Sequence, residues 1–135
     1  MKALVNLLFI CVENANRSQI AEAFGHMYAT ENMRIFSGGS APAGKINPRA
    51  IAFMEEIGYN LRNHTSKSVE EFHTIPFDYV ISMGCGDKCP YVPSKQFEDW
   101  QIPDPKELSD EAYRTIRDYI GIKVKDLINR ASEPK

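Results

Sequence analysis

Cys11 and Arg17 are separated by five residues, and Ser18 follows the arginine directly. The stretch Cys11-Val12-Glu13-Asn14-Ala15-Asn16-Arg17-Ser18 can wrap its backbone N–H groups around one tetrahedral anion. A helix opening at its end adds aligned amides and a partial positive charge. Arg17 can grip two anion oxygens in a bidentate fork. The same field favours thiolate over thiol at Cys11, and the Ser18 hydroxyl can donate a hydrogen bond to that sulfur. Val12, Glu13, Asn14, Ala15, Asn16, Arg17 and Ser18 are therefore the candidate oxyanion-binding residues, and Cys11 is the candidate nucleophile. Asn14 suits the left-handed backbone that so tight a loop needs. A C-x5-R pair alone arises by chance; its position between a strand and a helix carries the reading.

Attack by a thiolate on an oxyanion needs a proton donor for the departing oxygen. Asp104 lies in Trp100-Gln101-Ile102-Pro103-Asp104-Pro105, where prolines on both sides stiffen the backbone and fix the carboxyl direction. Asp87 and Asp99 compete for the role on the same stretch. Two further cysteines frame Cys85-Gly86-Asp87-Lys88-Cys89-Pro90. Thiols four positions apart in a glycine-containing segment can form a disulfide if the loop rearranges, and Lys88 favours the thiolate of Cys89. Zinc normally takes four ligands, and His26, His64 and His73 stand at no ligand spacing from these cysteines. A pair of inert thiols is the remaining alternative.

These residues need a scaffold, and the chain alternates strand-like and helix-like segments, the pattern of an α/β sandwich on a parallel sheet. Leu4 to Cys11 reads as a strand apolar on both faces. Ser18 to Thr30 reads as a helix with Ile20, Ala23, Phe24 and Met27 inward. Arg34 to Ser37 is a short strand ended by Gly38-Gly39. Asn47 caps a helix that has Pro48 in its first turn and stops at Gly58. Ser68-Val69-Glu70-Glu71 has capping-box spacing and opens a short helix closed near Pro76. Asp78 to Met83 is a further strand, and Gly84 to Pro105 reads as loop, with residues 96–102 the place for one more strand. Ser109 to Asn129 is a long helix with Ile116, Ile120, Val124 and Leu127 inward. In such a sheet, ligands sit beyond the carboxyl ends of the strands, which puts Cys11 and Cys85 on one edge.

The whole chain has 135 residues, one domain's worth, with 43% hydrophobic and 25% charged residues and a formal net charge of -2. That balance points to neither a nucleic acid nor a membrane partner. The apolar start is too short to span a bilayer and lacks a small-residue cleavage site. Three cysteines cannot all pair within one chain, so a reducing, cytoplasmic compartment is expected.

Cys11 to Glu22 (CVENANRSQIAE) resembles the active-site loop of the low-molecular-weight protein tyrosine phosphatase superfamily. Arg17-Ser18-Gln19-Ile20-Ala21-Glu22 is especially similar to its arsenate reductase branch. Asn47-Pro48-Arg49-Ala50, Asn63-His64-Thr65-Ser66, Met83 to Pro90, and Glu98-Asp99-Trp100 continuing to Asp104-Pro105 extend the likeness over nearly the whole chain. The resemblance implies a single domain, residues 1–135, built as a three-layer α/β/α sandwich around a four-stranded parallel sheet and working as a monomer. It also implies a three-thiol relay. Cys11 attacks arsenate, Arg17 and the loop amides hold the oxyanion, and Asp104 protonates the leaving oxygen. Cys85 then attacks the Cys11–arsenic adduct, arsenite leaves, and Cys89 moves the disulfide to Cys85–Cys89 for reduction by thioredoxin.

Departures from the family refine these expectations. The segment between Cys85 and Cys89 is shorter than in thioredoxin-coupled members, which admits mycothiol or glutathione with a glutaredoxin- or mycoredoxin-like partner. Asn16 stands where some members carry an extra cysteine. Asn14, Glu22 and Ser37 match positions that hold potassium in some members, but Lys67 replaces an aspartate of that set. Its ammonium is expected to pair with Glu22, so no metal and no cofactor are expected. Lys106 stands where the tyrosine phosphatases usually have an aromatic residue, which weighs against a phosphotyrosine substrate. A phosphatase acting on phosphotyrosine or a small phosphoester, with the cysteine pair idle, is the alternative.

Overall fold

Alternate residues of the first strand bury opposite faces, which explains why its sequence shows no polar alternation. In the computed structural model, which describes residues 3–84 and 90–132, β1 spans Val5–Cys11. Leu7, Phe9 and Cys11 join the larger core, whereas Leu8 and Ile10 join a second cluster on the other face. The remaining elements are α1 (Arg17–Tyr28), β2 (Met33–Gly39), α2 (Pro48–Glu55), β3 (Phe77–Ser82), β4 (Ser94–Asp99) and α3 (Asp110–Ser132). Two 3-10 turns, Leu61–Asn63 and Val69–Phe72, lie between α2 and β3.

The four strands form one parallel sheet in the order β2-β1-β3-β4. The chain therefore leaves β1 toward one side and later returns to its other side, so β1 ends at the point where strand order reverses. That is where open α/β sheets bind their ligands. One face is covered by α1, α2 and α3 through Ile20, Phe24, Phe53, Met54, Ile120 and Val124. The other is covered by the thinner Val69–Phe72 turn, with Phe72, Ile75 and Val92 against Leu8, Ile10, Phe77 and Val80.

Several boundaries differ from the sequence reading for physical reasons. Gly38 and Gly39 do not end β2; they pair with Ile10 and Cys11 as its last residues. A Cβ on Gly39 would lie 2.3 Å from the Val12 carbonyl oxygen and 2.9 Å from that of Cys11. Only glycine lets the strand pass so close to the Cys11–Val12 backbone. Gly39→Ala is expected to cost about 1–3 kcal/mol as an overpacking change. It should also weaken phosphate binding, because the backbone that must shift belongs to the loop. Thermal melts with and without phosphate test both effects.

The 84–105 stretch holds β4, at 94–99 rather than 96–102. Met27, expected inside, is 42% exposed near Ile122, whereas Ala21 is fully buried. Ile116 is half-buried, while Ile120, Val124 and Leu127 are buried as expected. Asn47 caps α2 by accepting from the Arg49 amide at 2.9 Å, and the helix gives way before Gly58, whose φ is +89°. Ser68 accepts from the Glu70 amide at 3.1 Å, the bond of a short turn rather than of a full capping box.

Candidate active site

The loop after β1 turns its carbonyls outward. The Val12, Glu13 and Ala15 oxygens accept from the amides of Ala41, Ala43 and Asn47 at 2.9, 2.9 and 2.8 Å. The Asn14 oxygen accepts from Gln19 Nε2 at 3.0 Å, and the Asn16 oxygen from the Ile20 amide at 2.9 Å. In a planar trans peptide the N–H points opposite to the C=O. Anchoring these five carbonyls therefore turns the amides of residues 13–17 inward, toward the space above Cys11. Asn14 makes the curvature possible with φ +49°, the left-handed backbone expected of it.

A polar chain runs from this loop into the core. Asn14 Nδ2 donates to Ser18 Oγ and to Ser37 Oγ, both at 2.9 Å. Asn14 Oδ1 accepts from Gln19 Nε2 at 2.9 Å and from the Lys67 amide at 2.8 Å, so the amide orientation is fixed. Ser18 Oγ thus receives one hydrogen and keeps its own for Cys11 Sγ, 2.9 Å away. Ser37 in turn donates to Glu22 Oε1. Cys11 is 5% exposed at the base of the loop, while Asn14, Ser18 and Ser37 are fully buried.

Cys11, Val12, Glu13, Ala15, Asn16 and Arg17 line a cavity of about 260 Å³, closed on its far side by Asn47, Asp104 and Lys106. That size suits an inorganic oxyanion. Arg17 Nη1 donates to the Met83 and Ile102 carbonyls at 3.0 and 2.6 Å, which ties the guanidinium to the ends of β3 and the segment after β4. Among the described residues only Nη1 of Arg17 is engaged, so its other nitrogens can serve an anion. Asp104 accepts from the Lys106 amide at 3.0 Å and faces the cavity. Asp99 instead accepts from the Gln101 amide at 3.2 Å and does not line it. Asp87, Cys85 and Cys89 lie outside the described residues. A larger groove of about 540 Å³ runs between residues 69–77 and 91–95, and neither Cys11 nor its loop lines it.

Sequence reasoning missed a second tier of residues. Arg49 Nη1 donates to the Lys106 carbonyl at 2.9 Å and to that of Pro105 at 3.3 Å, holding the segment that carries Asp104. Its guanidinium lies over the Tyr113 ring at 4.6 Å, and the Tyr113 hydroxyl donates to Asn16 Oδ1. Arg49 therefore joins the Asp104 segment, through Tyr113, to the loop after β1. Asn47 and Lys106 also emerge as cavity residues. Asn47 and Arg49 belong to one of the family-like stretches, but nothing local in it reveals which groups they hold.

Glu22 is the other gathering point. Its Oε1 accepts from Ser37 and lies 3.7 Å from Lys67 Nζ, as the sequence suggested. Its Oε2 lies 2.9 Å from His26 Nε2 and 3.4 Å from His64 Nδ1. Burial pushes the carboxyl's pKa up, but hydrogen bonds from His26 and Ser37, with the nearby His64 and Lys67, outweigh this and hold it below its usual range.

The family model for low molecular weight phosphotyrosine protein phosphatase matches residues 6–134. The glutaredoxin arsenate reductase of Synechocystis sp. is 37% identical over 129 residues, covering 93% of this chain and 98% of that protein. A solved arsenate reductase in the phosphate binding state is 35% identical with a TM-score of 0.84, covering 96% and 100% of the two chains. The thioredoxin-dependent arsenate reductase of Corynebacterium glutamicum is 34% identical with a TM-score of 0.74, covering 96% of this chain and 63% of that one. The chain belongs to the low molecular weight phosphotyrosine protein phosphatase family. Within it, the chain falls in the branch whose members are named arsenate reductases.

Proposed function

We propose that the chain reduces arsenate to arsenite with electrons from its own thiols. The observation that carries the anion half of this reading is the cavity above Cys11, lined by a loop whose carbonyls are taken up elsewhere, so that peptide planarity leaves its amides for an anion. The arsenate half rests on relatives named arsenate reductases that match almost the whole chain. The Cys11 thiolate attacks arsenic(V), forming an S–As bond, and Asp104 gives its proton to the oxygen that departs as water. Arg17 and the loop amides hold the remaining oxygens. The Cys85 thiolate attacks the Cys11 sulfur; the S–As electron pair stays on arsenic, which leaves as arsenite, while two sulfurs are oxidised to a disulfide. Cys89 then attacks Cys85, restoring the Cys11 thiolate and leaving Cys85–Cys89 for an external thiol reductant. Relatives named for glutaredoxin and for thioredoxin make those two donors the ones to supply.

The decisive experiment follows arsenite release with thioredoxin and then with glutathione and glutaredoxin, alongside hydrolysis of p-nitrophenyl phosphate. Cys85→Ser is expected to abolish arsenate turnover with either donor and to leave phosphate ester hydrolysis intact. Cys89→Ser should stall turnover after one equivalent of arsenite. A wild-type chain that hydrolyses the phosphate ester but releases no arsenite with any donor, and is indifferent to Cys85→Ser, is a phosphatase instead.

A further inference from the structure

We propose that Glu22, His26 and His64 form a binding site for a late first-row divalent cation of the zinc type, on the Oε2 side of the Glu22 carboxylate. The site goes beyond the reductase reading and does not depend on it. The two carboxylate oxygens have separate surroundings. Oε1 faces Ser37 and Lys67, whereas Oε2, among the described residues, faces the two imidazoles. One ligand atom from each of the three residues falls within 4.8 Å of the other two. Donors of a tetrahedral zinc ion sit about 3.3 Å apart at ordinary zinc–nitrogen and zinc–oxygen bond lengths. The observed 2.9 and 3.4 Å separations bracket that value. The imidazole rings meet edge to face, with centroids 5.7 Å apart, and so converge without stacking.

Each imidazole can present a lone pair by moving its single proton to the other ring nitrogen. On His64 that nitrogen, Nε2, faces Tyr59 Oη at 2.6 Å, and the hydroxyl can turn to accept the proton. The Gln19 Oε1 contact to His64 Nδ1, 2.9 Å, is given up in exchange. Two imidazoles and one monodentate carboxylate suit zinc, cobalt and nickel rather than magnesium or calcium. His26 is 42% exposed along its side chain, which leaves room for water as the fourth ligand and a path for entry.

Lys67 does not occupy this side. Its ammonium is hydrogen-bonded to the Thr65 carbonyl at 2.7 Å and approaches the other oxygen. Its charge weakens the site without filling it.

The test uses the full chain with Cys11→Ser, Cys85→Ser and Cys89→Ser, so that thiols cannot compete. Zinc chloride is titrated by calorimetry, and cobalt(II) by visible absorption. One ion per chain is expected, with the intense cobalt bands of a low-coordinate site and a rise in melting temperature with zinc. Adding His26→Ala should weaken binding by more than about tenfold, since even partners of metal ligands matter on that scale. Lys67→Ala should tighten it, and His73→Ala should leave it unchanged. Absence of binding at millimolar zinc, or binding that His26→Ala leaves unaltered, overturns the assignment.

Discussion

Cys11→Ser loses arsenate reduction and p-nitrophenyl phosphate hydrolysis together, each by at least about 10⁴-fold, while the protein keeps its fold and still binds phosphate. The size of the loss follows from chemistry rather than packing. Serine is nearly isosteric and keeps a hydrogen bond with Ser18, but a hydroxyl is a far weaker nucleophile than the sulfur that the proposed mechanism uses. The five anchored carbonyls do not depend on the side chain, so the loop amides remain in place. Steady-state rates for the two substrates, with calorimetric phosphate binding, separate these contributions. Residual turnover near the wild-type rate in either assay would transfer the nucleophile's role to another residue.

Arg17→Lys is expected to reduce kcat/KM for both substrates by about 10³-fold, the scale of losing a preorganised oxyanion donor. It should also lower stability by about 1–3 kcal/mol. The stability loss arises because the Ile102 carbonyl loses the N–H that now reaches it, whereas the Met83 carbonyl gives up one of two donors and keeps the Ile102 amide. Lysine keeps the charge but cannot serve two carbonyls and an anion from one planar fork. Kinetics with a thermal melt check the pair of effects. A variant that loses activity but melts as wild type would mean that the carbonyl bonds contribute nothing to the fold.

Much of the centre was legible because local and global signals coincide there. The apolar run from Leu7 to Ile10, the nucleophile at its end and the Arg17-Ser18 helix start each point to the same loop, and the loop's carbonyl pattern follows from it. Asn14 was legible for a similar reason, since few residues other than glycine tolerate its φ. The edge strand was harder to place. Ser94-Lys95-Gln96-Phe97-Glu98-Asp99 has no buried residue, and even Phe97 is 57% exposed. What holds it is tertiary: parallel pairing with β3, the Glu98–Arg130 ion pair at 2.7 Å, and Trp100 packed on Phe9. Hydrophobic periodicity carries no trace of such bonds. The Glu22 cluster was illegible for a different reason. His26 lies one turn beyond Glu22 on α1, but His64 comes from the far end of another segment, and only the folded chain sets both against one oxygen. The same holds for Arg49, whose partners are backbone carbonyls and an aromatic face rather than residues of complementary type.

The junction around Gly84 has a consequence for how this chain can change over evolution. At Gly84, with φ +105°, a Cβ would meet the Gln101 backbone 2.8 Å away. The two strands are latched there by bonds from the Trp100 amide to the Ser82 carbonyl and from the Ile102 amide to the Met83 carbonyl, at 2.9 and 3.0 Å. Change at Gly84 is therefore tied to change at Gln101 and Ile102, because the backbone of one strand's end fills the space that a side chain on the other would need. The two strand ends whose carbonyls Arg17 holds can then drift only together, as one inherited unit.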